Sequence, residues 1–240
     1  AYAHKGYHNL ALQFCQKALE IYKKVYGDHP HLDIATSHNN IGTIYYRAGD
    51  YDQALQYYQM DLDMSKKIYG DQPHAKIATA YNNIGLAHKS KGNYDQALQY
   101  EQMALDTHKK VYGDQPHPHI ATSYHSIGVV YDSQGDYDQA LQFYQTALDM
   151  RKKIYSDQPH LDIARSCNNI GFVYYRKGDH DQALQYYHMA LDMYKKVYSD
   201  QPHLDIATAH DHIASVYDSK GDTEKATAFY EKASSYLGNL

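Results

Sequence analysis

The residues with chemical potential recur at one spacing. His31, His74, His117, His160 and His203 stand 43 residues apart, and they belong to a set of 17 His in 240 residues. Paired polar residues keep the same step: Asn39 and Asn40, Asn82 and Asn83, His125 and Ser126, Asn168 and Asn169, Asp211 and His212. Cations stand nearby at Arg47, Lys89, Arg165 and Arg176. His could ligate a metal, Asn could hold a peptide backbone through its two donors and one acceptor oxygen, and guanidinium groups could clamp carboxylates.

The metal chemistry fails on geometry. Zinc needs ligands about 2 Å from a common centre, whereas equivalent positions of stacked helix pairs lie about 10 Å or more apart. The close pairs His29/His31, His117/His119 and His210/His212 have at best an Asp nearby. Structural His and no metal or cofactor are therefore expected. No phosphate-cradling Gly-rich loop or nucleophile elbow occurs, and Cys167 reads as a packed thiol, so no enzyme is expected.

The elements that must position these groups are set by glycines in step. Gly6, Gly49, Gly92, Gly135, Gly178 and Gly221 are spaced by 43 residues, and the text around them recurs, as in Gly49-Asp50-Tyr51-Asp52-Gln53-Ala54-Leu55. Each unit predicts two helices. Helix A opens after Pro30, Pro73, Pro116, Pro159 or Pro202, where a fixed φ and a missing N–H suit the first turn, and it ends at the recurring Gly. Helix B begins with Asp50-x-x-Gln53 or its counterparts at Asp136, Asp179 and, as a variant, Asn93, a spacing that predicts reciprocal capping-box bonds. It closes on Lys pairs such as Lys66-Lys67, which complement the negative helix end.

A helix pair with a short turn cannot bury its apolar faces alone, so neighbouring pairs must stack. The expected fold class is all-α, a right-handed superhelical solenoid of antiparallel helix pairs. Its units are 1–29 (incomplete, the end of a helix A plus a helix B, because Tyr2 aligns with Tyr45), 30–72, 73–115, 116–158, 159–201 and 202–240, the last expected to cap the array. The 28 Tyr, with no Trp, suit a two-layer structure in which ring hydroxyls stay near water.

A net charge of -5 lacks the basic field that gathers nucleic acid. No apolar run is long enough for a bilayer, and the start shows no signal-peptide core, so no membrane association is expected. Cys15 and Cys167 lie more than three repeat lengths apart, too far for a bridge, which suits a reducing, cytoplasmic setting.

Gly128, Tyr131, Ala140, Tyr144 and Ala147, and then Gly171, Tyr174, Ala183, Tyr187 and Ala190, follow the pattern of small residue and Tyr on helix A and Ala, aromatic, Ala on helix B. In this the chain resembles the tetratricopeptide repeat family, and its long unit is most similar to the repeats of kinesin light chains and nephrocystin-type proteins. The resemblance implies a protein-interaction scaffold whose A helices line a concave groove. It places in that groove Asn39, Asn40, Asn82, Asn83, His125, Ser126, Asn168 and Asn169, with Arg47 and Arg176 one turn on. Tyr46, Lys89 and Tyr175 stand one residue before that last position, and Arg165 six before Gly171.

The expected partner is a protein or peptide, acidic in character, held through charge-assisted bonds and Tyr rings. The same Asn could instead bond neighbouring repeats and stiffen the stack. A second reading of function is accordingly a structural repeat spacer that self-associates end to end. Two carboxylates break the family pattern. Asp61 stands in place of the second Ala and Glu101 in place of the aromatic, and both are expected to reach solvent or a partner group, since an unpaired buried carboxylate costs several kcal/mol. His88 replaces the helix A Tyr in the same repeat as Glu101.

Overall fold

The computed structural model describes the backbone of residues 2–27, 29–70, 72–156 and 158–238, with side chains from residue 9 onward. Its described residues are all helix and turn. The helices are α1 (Tyr2–Tyr26), α2 (Leu32–Arg47), α3 (Tyr51–Tyr69), α4 (Ala75–Ser90), α5 (Tyr94–Tyr112), α6 (Pro118–Gln134), α7 (Tyr137–Tyr155), α8 (Leu161–Lys177), α9 (His180–Val197), α10 (Leu204–Ser219) and α11 (Thr223–Gly238). They pack in adjacent pairs, with α2, α4, α6, α8 and α10 as A helices and the helix after each as its B partner. The chain divides into two compact units, Ala1–Gln115 and Pro116–Leu240.

The turn between the helices of a pair depends on positive φ. Gly49, Gly92, Gly135, Gly178 and Gly221 hold φ between 76° and 87°, which an L side chain rarely adopts. This geometry turns the next N–H back onto helix A: Asp50 N donates to Tyr45 O at 3.0 Å and Asp136 N to Tyr131 O at 2.9 Å. The capping box is therefore only half formed. Asp50, Asp136 and Asp179 each accept from the N–H of the Gln three residues on, at 3.1–3.2 Å. The reciprocal bond has no donor to satisfy, because the cap residue's N–H already serves helix A. Asn93, expected as a variant cap, makes no side-chain cap bond.

The start of each A helix is built by the recurring His. Nδ1 of His31, His74, His117, His160 and His203 accepts the backbone N–H two residues on, at 3.1–3.3 Å. The imidazole thus serves as the N-cap, the role usually taken by Ser, Asp or Asn. The rings of His31, His74, His160 and His203 also stack on the Tyr at the C-terminal end of the preceding helix, Tyr26, Tyr69, Tyr155 and Tyr198, with centroids 3.4–3.6 Å apart. The Tyr26, Tyr155 and Tyr198 hydroxyls then donate to Asp33, Asp162 and Asp205 in the first turn of the new helix. One Tyr–His–Asp cluster fixes each of these corners.

The core of a pair closes where a B-helix ring lies on an A-helix glycine. A Cβ on Gly42, Gly128 or Gly171 would meet the ring of Tyr58, Tyr144 or Tyr187 at 2.7–2.9 Å, so only glycine fits. Around these seats Ile41, Ile84, Ile127, Ile170 and Ile213 are buried, each contributing roughly 1.5–3 kcal/mol.

Within each unit the A helices lie side by side. Asn39 bonds Asn83 and Tyr46 bonds Ser90 in the first unit, and Tyr175 bonds Ser219 in the second. In the second unit Tyr186 bonds Gln145 across neighbouring B helices. The units are accordingly two-layered. Lys91–Asp52, Lys177–Asp138 and Lys220–Asp181 ion pairs tie the end of each of these A helices to the start of the preceding B helix.

The sequence predicted a break at Gly6, with the end of a helix A before it. Instead α1 runs as one helix across Gly6. The side chains of residues 2–8, including the expected counterpart of Tyr45 at Tyr2, lie outside the described residues.

Candidate functional site

Each A helix carries one outward stripe at positions six before, two before, one after and five after its packed small residue, a spacing of i, i+4, i+7 and i+11 that stays on one helical face. On α2 the stripe reads Thr36, Asn40, Thr43, Arg47, and on α4 Thr79, Asn83, Leu86, Ser90. On α6 it reads Thr122, Ser126, Val129, Ser133, and on α8 Arg165, Asn169, Phe172, Arg176. Every one of these side chains is at least partly exposed.

Sequence reasoning missed Phe172. It is 40% exposed between Asn169 and Arg176, whose guanidinium lies 5.8 Å from the ring centre. The signal was available: Phe172 is the one aromatic at a place where sister helices carry Thr43, Leu86, Val129 and Ser215.

The amide pairs divide their work. Asn83 Nδ2 donates to Asn39 Oδ1 at 2.7 Å, and His212 Nδ1 lies 2.8 Å from Asn168 Oδ1. Both bonds join the residue three before one glycine or alanine to the residue two before the next. Asn39, Asn83 and Asn168 thus stitch neighbouring repeats, as the stiffening alternative requires. Asn40 and Asn169 make no hydrogen bond to other described residues and face outward, Asn40 fully exposed and Asn169 half-buried. Asn82 is half-buried with Oδ1 enclosed and without a partner. His125 packs tilted against the Tyr144 ring, centroids 5.1 Å apart, and burial, with a smaller push from Arg151, lowers its pKa to about 4. It is therefore a neutral packing group at pH 7. Ser126 is half-buried beside it on α6.

The second lateral row joins the residue four after one small residue to the residue five after the next. Tyr46 Oη lies 2.9 Å from Ser90 Oγ, and Tyr175 Oη 2.9 Å from Ser219 Oγ. Arg176 Nη1 donates to Asp132 Oδ1 at 3.3 Å and sits 5.0 Å from the Tyr137 ring centre. The Arg176 charge is thus partly balanced within the repeat stack. Arg47 and Arg165 are exposed and have no ion-pair partner among the described residues. Lys89 is half-buried near the Glu101 carboxyl, whose pKa it lowers against the larger opposing effect of burial.

Of the two irregular carboxylates, expected to reach solvent or a partner group, neither reaches solvent and only Asp61 finds a partner, the Ser65 hydroxyl. Glu101 is only 3% exposed, Oε2 has no hydrogen-bond partner, and burial raises its pKa to about 8. Asp61 is likewise buried. Desolvation raises it to about 6, opposed by a bond from Ser65 Oγ at 3.4 Å and by the Lys76 charge. Both carboxyls are tolerated in the core by taking up a proton more readily than an exposed acid. Cys167 is buried and its thiol is pushed up to about 11, chiefly by desolvation, which leaves it unreactive.

This architecture defines a class: paired antiparallel helices in a repeat, with a small residue under each B-helix ring. The model of the tetratricopeptide repeat family matches residues 1–67, 76–153 and 162–237, and the chain belongs to that family. No catalytic family is indicated. No curated protein sequence matches the chain.

Among solved structures it is similar to BtubC (BKLC) from P. vanneervenii, at TM-score 0.80 and 18% identity over 96% of this chain and 91% of that one. A kinesin light chain-like protein of Podosopora anserina with nearly identical TPR-like repeats aligns at TM-score 0.70 and 15% identity, over 88% and 97% of the two chains. NprR in complex with its cognate peptide NprX aligns at TM-score 0.61 and 23% identity, over 97% of this chain and 65% of that one. At these identities the likeness is one of fold. No helix among the described residues is long and apolar enough to cross a membrane.

Proposed function

We propose that the chain is a scaffold that holds a partner polypeptide, acidic in character, against the outward stripe of its A helices. The observation that carries this reading is the α8 stripe, where Arg165, Asn169, Phe172 and Arg176 put two guanidinium groups, an amide and an exposed ring on one face. These groups match an extended acidic segment: the amide meets backbone, the ring an apolar side chain, and the cations its carboxylates. Arg47 and Asn40 offer the same pairing on α2, and Lys89 adds a cation on α4. NprR, of similar fold, has been solved with a bound peptide, which supports the use of such a layer for peptide capture. The free thiols Cys15 and Cys167 suit a reducing, cytoplasmic setting.

The test is charge reversal. Replacing Arg47, Lys89 and Arg176 by Glu together, with Arg165→Glu as a separate variant, should weaken an acidic, aromatic-containing peptide at least about tenfold by calorimetry. Unchanged affinity in both variants would overturn the reading.

A second reading, a structural spacer that stacks end to end across copies, is favoured by the lateral bonds of Asn39, Asn83 and Asn168, which stiffen the array without any ligand. Light scattering separates the two. Size that grows with concentration supports the spacer, and a monomer that captures the peptide supports the scaffold.

A further inference from the structure

The B helices α3, α5, α7, α9 and α11 each lie against an A helix of their own. α1 stands in the same register, with Ala11, Cys15 and Ala18 at the places of Ala54, Tyr58 and Asp61, and it packs on α2 through Leu19. The face that an A helix covers in the later pairs is bare on α1 among the described residues. Ala54, Ala97, Ala140 and Ala183 are fully buried, whereas their counterpart Ala11 is exposed. On the same face Phe14, Ile21 and Val25 are 58–66% exposed. The spacing from Ala11 through Phe14, Ala18 and Ile21 to Val25 makes one continuous apolar seam.

The later pairs show what meets this seam. The counterparts of Phe14 on α3, α5, α7, α9 and α11 all stack on an A-helix ring three residues after the packed small residue, with centroids 5.5–5.7 Å apart, as Tyr57 does on Tyr45 and Phe143 on Tyr131. Phe14 has no ring partner among the described residues. The edge of α2 beside the seam carries donors that later A helices direct at the A helix before them. Asn83 bonds Asn39 and His212 bonds Asn168, the residue two before one small residue reaching back to the residue three before the last. Arg176 donates to Asp132, the residue five after reaching back to the residue four after. On α2 these positions are Asn40 and Arg47, both exposed and without a hydrogen-bond partner among the described residues. Asn40 also lines a groove of about 140 Å³ between α1 and α2, together with Cys15, Ala18, Tyr22 and Ser37. Cys15 stands where Tyr58 and Tyr144 lay a ring on the glycine of the A helix, and its small thiol leaves the groove open.

We propose that α1 and α2 form a docking groove for an amphipathic helix of a partner polypeptide, which lies antiparallel to α1 in the A-helix position and bears an aromatic residue followed directly by an acid. The aromatic meets Phe14 and the acid meets Arg47, as Tyr131 and Asp132 meet Phe143 and Arg176. Three positions before the aromatic, where A helices carry glycine or alanine, the guest bears a large apolar residue that fills the groove over Cys15. A second copy of α1 matches the seam less well. It would turn the exposed Lys17, beside Phe14 and Ile21 on the helix surface, toward its like, and it would leave Asn40 and Arg47 without acceptors. The groove is separate from the α8 stripe and gives Asn40 and Arg47 a helical guest.

The probe is a synthetic peptide of the α6 sequence, residues 118–134, carrying Gly128→Leu and titrated into the full chain. NMR signals of the Ile21 and Val25 methyl groups and the Asn40 amide report its place, and calorimetry its affinity. Saturable shifts at all three are expected, and Phe14→Asp, at an exposed position, should weaken binding at least about tenfold. Arg47→Glu should weaken it about threefold, and Asp132→Lys on the peptide should restore it, an arm that does not depend on the Phe14 variant. A Gly128→Ala peptide, an equally good helix former without the large side chain, should bind more weakly. Arg165→Glu on α8 should leave helix binding unchanged, and Phe14→Asp should leave capture of an acidic peptide at Asn169 unchanged, so failure of the groove and failure of the stripe are read separately.

Absence of saturable shifts at Ile21 and Val25 overturns the proposal. So do full affinity in folded Phe14→Asp, a charge swap that restores nothing, and equal affinity of the Gly128→Ala peptide. Dimerisation of the free chain that Phe14→Asp abolishes would give the seam to a second copy and overturns it as well.

Discussion

The carboxyl of Glu101 lies against the backbone of Gly85, where a Cβ would meet its Oε1 at 2.8 Å. It occupies the seat that Tyr58, Tyr144 and Tyr187 fill over the glycines of three other repeats. The folded state therefore favours the protonated acid, with a pKa of about 8 against an ordinary 4.5. For a raised pKa, the stabilising contribution is complete below 4.5 and is lost as pH rises through 8. Within that window the loss is roughly 1.4 kcal/mol per pH unit. Urea melts of Glu101→Gln should lack this component, so the variant gains on the parent as pH rises from 5 to 8. A constant difference across that range would contradict the assignment.

Buried histidines act in the opposite direction. His125 and His210 are pushed down to about 4, first by burial, from an ordinary 6.5. Their contribution is complete above 6.5 and is lost as pH falls toward 4, because the unfolded chain then binds the extra protons. With Glu101 opposing from the alkaline side, stability should peak near pH 6.5. His210 has both ring nitrogens enclosed without a partner, packed against Phe229 and Tyr236. His210→Phe should stabilise the fold at pH 7 by on the order of 1 kcal/mol and flatten the acid limb, checked by the same melts.

The glycine seats predict a steric cost. At Gly128 an added Cβ would meet the Tyr144 ring at 2.7 Å, and a closed core has no room to move it. Gly128→Ala should cost about 1–3 kcal/mol by denaturant unfolding. Gly128→Ala with Tyr144→Phe should cost much the same as the single change, because the clash is with ring carbon and not with the hydroxyl.

The corner cluster makes a prediction about capping. His160 Nδ1 accepts from Asp162 N at 3.1 Å while its ring stacks on Tyr155. His160→Ala should lower stability by about 1 kcal/mol, and His160→Asn, which keeps an acceptor, should recover part of it. Equal losses would assign the contribution to stacking alone.

Much of the fold was legible because it rests on backbone rules that residue types reveal. Gly49 and its counterparts announce a positive φ, and the Gly-to-Tyr spacing announces the pair seat. The corner was not legible. The spacing marks His31 and its counterparts as structural or incidental without naming the cap, since capping by an imidazole depends on where the ring lands after stacking on Tyr26, which spacing does not show. The capping box at Asp50 was read as reciprocal because the turn's recapture of Asp50 N is a matter of φ at Gly49. In the site, Asn39 and Asn40 look alike in one dimension. Only the side-by-side packing of α2 and α4 shows that Asn39 bonds Asn83 while Asn40 faces outward. Glu101 is expected from sequence to reach solvent or a partner group because an unpaired buried carboxylate is costly, but its place in the repeat puts it in the core, where a proton replaces the missing partner.

That division of the amide pairs gives a further prediction. Asn39→Ala should cost about 1 kcal/mol of stability, and a double-mutant cycle with Asn83→Ala should show coupling. Asn40→Ala should leave stability within about 0.5 kcal/mol of the parent and weaken only partner binding.

The central claim is that the outward stripe of the A helices holds an acidic polypeptide. The most direct measurement is an NMR titration of the side-chain amides of Asn40 and Asn169 with an acidic, aromatic-containing peptide, with Gln142 on the B helix α7 as the internal control. Saturable shifts at Asn40 and Asn169, lost on Arg165→Glu and Arg47→Glu, with Gln142 unmoved, are the predicted result. Shifts at Gln142 with none at either Asn would contradict it.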